Sequence, residues 1–360
     1  MTLVHNFSAG PSAIPKIVIE QIRCDFPNWN GTGMSVIEAS HRGKEFKEIA
    51  QETESNLRLL LGVPKNYQVL FVQGGASLQF SMIPLNLSAS TSVVDYVITG
   101  SWGKKAAKEG SKFSKVNIAS DSIHSNYTSI QNEEDWRKSA NADYLHVTSN
   151  ETIGGVEYNF VPKSKDIPII SDMSSSILSR PVDINKYGLI YAGAQKNIGP
   201  AGLTIVIIRK DLIGNARSQT PALLNYKTYS DSESMYNTPP VFPWYVAGLV
   251  FKYLIDIGGL SKIESLNIEK ASLLYEYIDQ SEFYSNPVKE DYRSRMNIPF
   301  LLKDKSKEEE FTKQSHRAGL VNLKGHRSVG GMRASIYNAL EIAAVNDLIS
   351  FMRDFENNNG

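Results

Sequence analysis

Cysteine is nearly absent from these 360 residues; Cys24 is the only one. A single thiol excludes a disulfide framework and a CxxC metal or redox site, and it points to a reducing compartment. Neither sign of charge is in excess, with 38 basic against 38 acidic side chains. That balance argues against a nucleic-acid binder, which normally carries a strong basic surplus, although it leaves room for local positive clusters. No apolar run approaches the roughly 18 residues of a membrane span, and the opening MTLVHNFSAGPSAIP has no apolar signal core. The six histidines (His5, His41, His124, His146, His316 and His326) show no HxxxH-type spacing, so a metal hydrolase finds no support. The expectation is a soluble cytoplasmic protein with neither nucleic acid nor membrane as partner.

Apolar residues make up 41% of the chain, enough for a large core or two unequal ones. Short apolar runs read as buried strands at Gln68–Gly75, Thr91–Gly100, Asp143–Asn150, Asp166–Asp172, Tyr187–Gly193 and Leu203–Arg209. Amphipathic stretches separate them, such as Lys44–Gly62 with Phe46, Ile49, Leu57 and Leu60–Leu61 on one side. Alternation of this kind predicts an α/β fold: a mainly parallel sheet with helices on both faces. From about Val241 the pattern turns helical, and from about Ser281 it mixes strands and helices. We expect a large domain over residues 16–255. A smaller α+β domain is expected over 256–360, with 1–15 packing alongside.

Open parallel sheets bind ligands outside the carboxyl ends of their strands. The polar residues that follow the strand-like runs are Gly74–Ser77, Ser101–Trp102, Ser149–Thr152, Asp172 and Gln195–Lys196. In QGGASLQF two glycines end a strand and small residues open a helix, whose free N–H groups suit a phosphate. A tight turn with a serine cap is the plainer reading. Asp172 closes a strand with no other charge, IPIIS; it is either a counter-ion for a protonated heterocycle or an N-cap for the DMSSS that follows. Lys196 stands alone among small residues in YAGAQKNIGPAG, which leaves room for something bulky. Trp102, in SWGKK, is either core packing or an exposed aromatic face. Taken together these are the parts a pyridoxal phosphate enzyme requires. A lysine bonds the aldehyde, an acid keeps the pyridine nitrogen protonated, an aromatic stacks on the ring, and a cradle holds the phosphate.

The stretch IISDMSSSILSRPVDINKYGLIYAGAQKNIGPAGLTIVIIRK resembles the cofactor segment of the phosphoserine aminotransferases, a family of class V aminotransferases with fold type I. The likeness continues through HNFSAGPSAIP, SVIEASHRGKEF, VQGGASLQF, TGSWGKKA, SNETIGGVEY, YNTPPVF and KGHRSVGGMRASIYNAL. It implies that Lys196 bonds pyridoxal 5'-phosphate and that Asp172 faces the pyridine nitrogen. Trp102 would stack on the ring, and Thr152 would meet the phenolic oxygen region. Ala76, Ser77 and Gln195 would bind the phosphate, joined by Asn237 and Thr238 from the neighbouring subunit of a homodimer. Substrate anions would fall to His41, Arg42, His326, Arg327 and Arg333. One departure stands out: the family often has a bulkier residue at Gly154.

The resemblance also implies the substrates, L-glutamate and 3-phosphohydroxypyruvate, in serine biosynthesis; the family is further implicated in pyridoxine biosynthesis through a related phosphorylated substrate. Each substrate carries two anions, which arginine's planar fork pairs well. The clustering of His41–Arg42, His326–Arg327 and Arg333 suits that task, although any one of them taken alone reads more readily as surface charge. A cysteine desulfurase would need an activated thiolate, and nothing around Cys24 suggests one. An alanine–glyoxylate type aminotransferase shares the cofactor parts but has no need of both His-Arg pairs. A dehydrogenase would want a G-x-G-x-x-G turn that is missing, and a non-catalytic binding module would not need both Lys196 and Asp172.

Overall fold

The structure, a computed structural model, describes residues 4–164 and 166–360; Met1–Leu3, part of the segment expected to pack beside the smaller unit, lie outside them. Seven strands form the main sheet in the order Tyr67–Gln73, Leu203–Arg209, Leu189–Gly193, Ile169–Asp172, Ala142–Thr148, Val93–Ile98, Lys115–Asp121. Neighbours are parallel except around Leu203–Arg209, which runs antiparallel to both strands beside it. Alternate residues of a strand point to opposite faces. Accordingly Val69 and Phe71 enter one apolar core while Leu70 and Val72 enter another, so both faces of the sheet are buried.

All six expected strands are present, and one more, Lys115–Asp121, completes the sheet at its edge. Its KVNIASD sequence is half-exposed along much of its length and has no continuous apolar run to mark it. Most of its side chains are only partly covered, so its position in the sheet does not require a continuous apolar run. The helix expected at Lys44–Gly62 runs Lys44–Leu61, and Gly62 takes the left-handed conformation (φ 61°) that ends it. Trp244 ties that helix to the sheet, stacking on Phe71 at 4.1 Å and meeting Phe46 edge-on at 5.7 Å.

A three-stranded antiparallel sheet, Tyr284–Ser285, Asn297–Leu302 and Met332–Ser335, carries a further core between helices Gly259–Gln280, Glu308–Arg317 and Ile342–Asn359. Phe7 is buried in that core, and His5–Asn6 pairs in parallel with Leu320–Val321. Among the described residues no single helix is long and apolar enough to cross a membrane.

Candidate active site

Five strands of the main sheet deliver polar residues to one cavity of about 350 Å³. After Tyr67–Gln73 comes the turn Ala76–Leu78, which leads into helix Gln79–Leu87. Helix Ser101–Gly110 follows Val93–Ile98 and brings Trp102 and Lys105. The hairpin Asn150–Glu151 with Val156–Glu157 follows Ala142–Thr148 and brings Thr152. Asp172 is the last residue of its strand, and Gln195 and Lys196 occupy the turn after Leu189–Gly193. Arg333, on the smaller sheet, and His326, in the loop before it, complete the lining.

Lys196 is held from two sides. Its ammonium donates to Thr152 Oγ1 at 2.7 Å. The N-terminal segment clamps the backbone: Ser12 N donates to the Gln195 carbonyl at 2.9 Å, and the Ser12 hydroxyl donates to the Lys196 carbonyl. Gly10 passes so near that a Cβ there would lie 3.3 Å from Gln195 Cγ and 3.5 Å from Lys196 Cγ. Burial pushes the Lys196 amine down to about 8, against the Asp172 and Glu151 carboxylates, while the Arg333 guanidinium adds to the lowering.

A buried lysine is not by itself a reactive one, and Lys270 shows the difference. It is 2% exposed, and its ammonium donates to the carbonyls of Ile336, Tyr337 and Leu340 at 2.9–3.1 Å. Three carbonyls fill its donors, so Lys270 is a structural tie. Lys196 has one side-chain hydrogen bond and a cavity in front of it. Competitive acetylation of the apoprotein across pH, mapped by mass spectrometry, should give Lys196 a half-maximum near pH 8 because burial favours the neutral amine. A lysine free in water has a pKa of roughly 10.4, and a Lys196 midpoint at that value would contradict this environment.

Asp172 is 6% exposed; its Oδ1 accepts from Ser174 N at 2.9 Å, and it forms no ion pair among the described residues. Burial pushes its carboxyl upward, against the Ser174 hydrogen bond and the Lys196 charge. No helix follows it, so the N-cap reading of Asp172 does not apply. Trp102 lines the cavity, with Lys105 Nζ 4.2 Å from its ring centroid. The Arg333 guanidinium reaches the Thr152 carbonyl at 3.4 Å, and His326 Nδ1 lies 2.7 Å from Ser328 Oγ. Burial, Arg333, Arg327 and Lys105 all push the His326 pKa down.

Of the residues singled out from the sequence, Ala76, Ser77, Trp102, Thr152, Asp172, Gln195, Lys196, His326 and Arg333 line this cavity. His41, Arg42, Arg327, Asn237 and Thr238 do not. Arg42 and Arg327 are exposed, and Asn237 and Thr238 sit beside the Gln73 amide, which donates to Asn237 Oδ1 at 3.4 Å and to the Thr238 carbonyl. Gly154 is also outside the lining, and a Cβ there would meet only the Tyr127 carbonyl at 3.6 Å. Two charged residues near the cavity escape the sequence reading. Lys105 stands three residues beyond Trp102, a helical spacing that puts both on one side. Glu151 falls within the strand-end residues Ser149–Thr152 and is not distinguished there from its neighbours.

The profile of the Aminotransferase class-V family matches residues 4–348. The phosphoserine aminotransferase of Acidithiobacillus ferrooxidans is 53% identical over 360 residues, covering 99% of each chain. The solved phosphoserine aminotransferase from Bacillus circulans subsp. alkalophilus superposes with a TM-score of 0.97 at 46% identity, covering 99% of each chain. A PLP-bound phosphoserine aminotransferase from Trichomonas vaginalis superposes at 0.93 with 42% identity, covering 97% of this chain and 99% of that one. The chain belongs to the class-V aminotransferase family and, at this identity over its whole length, to the phosphoserine aminotransferases within it.

Proposed function

We propose that the chain uses pyridoxal 5'-phosphate to move an amino group between L-glutamate and 3-phosphohydroxypyruvate, giving O-phospho-L-serine and 2-oxoglutarate in serine biosynthesis. The observation that carries this reading is a single cavity lined by a lysine of lowered pKa, a buried acid that forms no ion pair among the described residues, and three further basic side chains, Lys105, His326 and Arg333. The lining residues fit the cofactor. Trp102 Nε1, Thr148 Oγ1, Asn150 Oδ1 and Arg333 Nε are buried polar atoms with no partner among the described residues, and all four side chains line the cavity. Such atoms normally find partners, and a polar ligand supplies them.

Bound pyridoxal phosphate supplies an electron sink for the charge left when a substrate α-proton departs. The protein's residues divide the remaining work. Lys196 would hold the cofactor, and its Nζ would take the proton from the substrate α-carbon. Asp172 would keep the ring nitrogen protonated, Trp102 would pack on the ring, and Thr152 would meet the phenolic oxygen region. Ala76, Ser77 and Gln195 bind the phosphate at a helix start, where the first N–H groups have no partner inside the helix. Arg333 pairs with a substrate carboxylate, and His326 faces the second anion. Asn237 and Thr238 lie outside the cavity of their own chain, which supports a cytoplasmic homodimer in which they reach the phosphate of the neighbouring subunit; His41, Arg42 and Arg327 would join Arg333 and His326 on the substrate anions. We further infer that residues 16–255 and 256–360, with 1–15 alongside the second, form two domains, a division supported by the separate apolar core around the smaller sheet.

Initial-rate kinetics test the function. Both substrates use one cavity in turn, so varying glutamate at several fixed concentrations of 3-phosphohydroxypyruvate should give parallel double-reciprocal lines. Intersecting lines, or no turnover of the phosphorylated acceptor, would contradict the proposal.

A further inference from the structure

Two carboxylates are buried beside the cavity, and the chemistry proposed above uses only Asp172. Glu151, at 0% exposure, is the other. Its Oε2 accepts from Trp102 N at 3.0 Å and its Oε1 from Gly103 N at 2.8 Å. Its side chain makes no further hydrogen bond and no ion pair among the described residues. Trp102 and Gly103 are the second and third residues of helix Ser101–Gly110, where N–H groups lack partners within the helix. The residue before the helix, Gly100, has no side chain to serve them. A carboxylate at a helix start is favoured both by hydrogen bonding and by the helix dipole.

The chain is also shaped to admit this carboxylate. A Cβ on Gly100 would lie 2.5 Å from Glu151 Cδ, and one on Gly103 would lie 3.4 Å from Glu151 Oε1. Gly100 is extended (φ 172°), so its requirement for glycine comes from the approach of Glu151 and not from backbone angle. The first turn of this helix carries Trp102, and Lys105 one turn on covers the indole ring; both side chains line the cavity.

We propose that Glu151 is a positioning residue: by holding the Trp102 and Gly103 N–H groups it fixes the first turn of helix Ser101–Gly110, and with it the place of the Trp102 indole in the cofactor cavity. The inference rests on the reading of Trp102 as the side chain that packs on the cofactor ring. Glu151 is a buried anchor reached from a neighbouring strand end; an ordinary cap would come from the residue just before the helix.

The test is a double-mutant cycle read by cofactor binding, with apoprotein titrated by pyridoxal phosphate and followed by fluorescence quenching. Glu151→Gln keeps the shape but sets an NH2 group against one of the two N–H donors. At pH 8, above the value of about 7 to which burial raises the Glu151 carboxyl, it should weaken cofactor binding by about 10-fold, as expected for a lost charge-assisted hydrogen bond, and alter the near-ultraviolet circular dichroism of the apoprotein. Gly100→Ala, which pushes the carboxylate aside, should reproduce both changes. In a Trp102→Ala background the further effect of Glu151→Gln should shrink below about 2-fold, because coupled residues are not additive. Unchanged binding in Glu151→Gln, with Trp102→Ala weakened, would overturn the role of Glu151 alone. An equal loss in both backgrounds would also overturn it, placing the effect of Glu151 on the charges of Lys196 and Asp172. If Trp102→Ala binds as tightly as the native protein, the reading of Trp102 falls, and this proposal with it.

Discussion

Lys196→Ala is expected to lower kcat for amino transfer by at least about 10²–10⁴-fold, the contribution typical of a positioned proton-transfer group. Loss of cofactor attachment adds to that. The fold should survive. The Lys196 side chain makes one hydrogen bond, to Thr152, and its ammonium is disfavoured by burial, so removing it costs the native state little. The thermal midpoint of the apoprotein should therefore stay within the roughly 2–4 °C that 1 kcal/mol moves a domain of 150–250 residues. A variant that unfolds would make Lys196 structural, and a variant that retains most of its rate would remove it from the chemistry.

Asp172→Asn is expected to push apoprotein stability and activity in opposite directions. Burial raises the Asp172 pKa, so in the folded protein the carboxyl holds its proton to higher pH than in the unfolded chain. Between the ordinary value, roughly 3.9, and the raised one, the native state binds more protons, and stability falls as pH climbs through that window. Above the window the ionised carboxylate is a cost to the apoprotein, and asparagine removes it while keeping an acceptor for Ser174 N. The apoprotein should melt no lower than the parent at pH 8. The cofactor's ring nitrogen, however, would lose its buried partner. Removing one member of a buried charge pair costs about 3–5 kcal/mol, or roughly 10²–10⁴-fold in rate. Thermal melts of the apoprotein and kcat of the loaded enzyme separate the two effects. If the variant is both less stable and fully active, Asp172 is an ordinary structural acid.

The parts of the site that sequence makes visible are those set by strand ends. A parallel sheet gathers its ligand at the carboxyl ends of its strands, so Asp172, Lys196, Trp102 and the Ala76–Ser77 turn could be picked out by position before any contact was known. What joins them is less visible. Glu151 acts on helix N–H groups 48 and 49 positions earlier in the chain, and no local pattern marks a contact of that range. His326 and Arg333 are brought to the cavity by the smaller sheet, whose packing on the larger one has no periodic signature. The edge strand Lys115–Asp121 lacks the apolar run that marked the other six. Lys270 offers the reverse lesson: within KIESLNIEKASLL it reads as an ordinary solvated helix residue, yet it is buried against three carbonyls. Burial of a lysine became informative only once its partners were known.

The central claim is that one lysine of the chain, Lys196, bonds the cofactor. Borohydride treatment of the pyridoxal phosphate-loaded protein, followed by proteolysis and mass spectrometry, tests it directly. The expected result is the reduced cofactor on Lys196 and on no other lysine, with glutamate added before the borohydride abolishing the label. A label on a different lysine, or none on Lys196 in protein that has bound the cofactor, would contradict it.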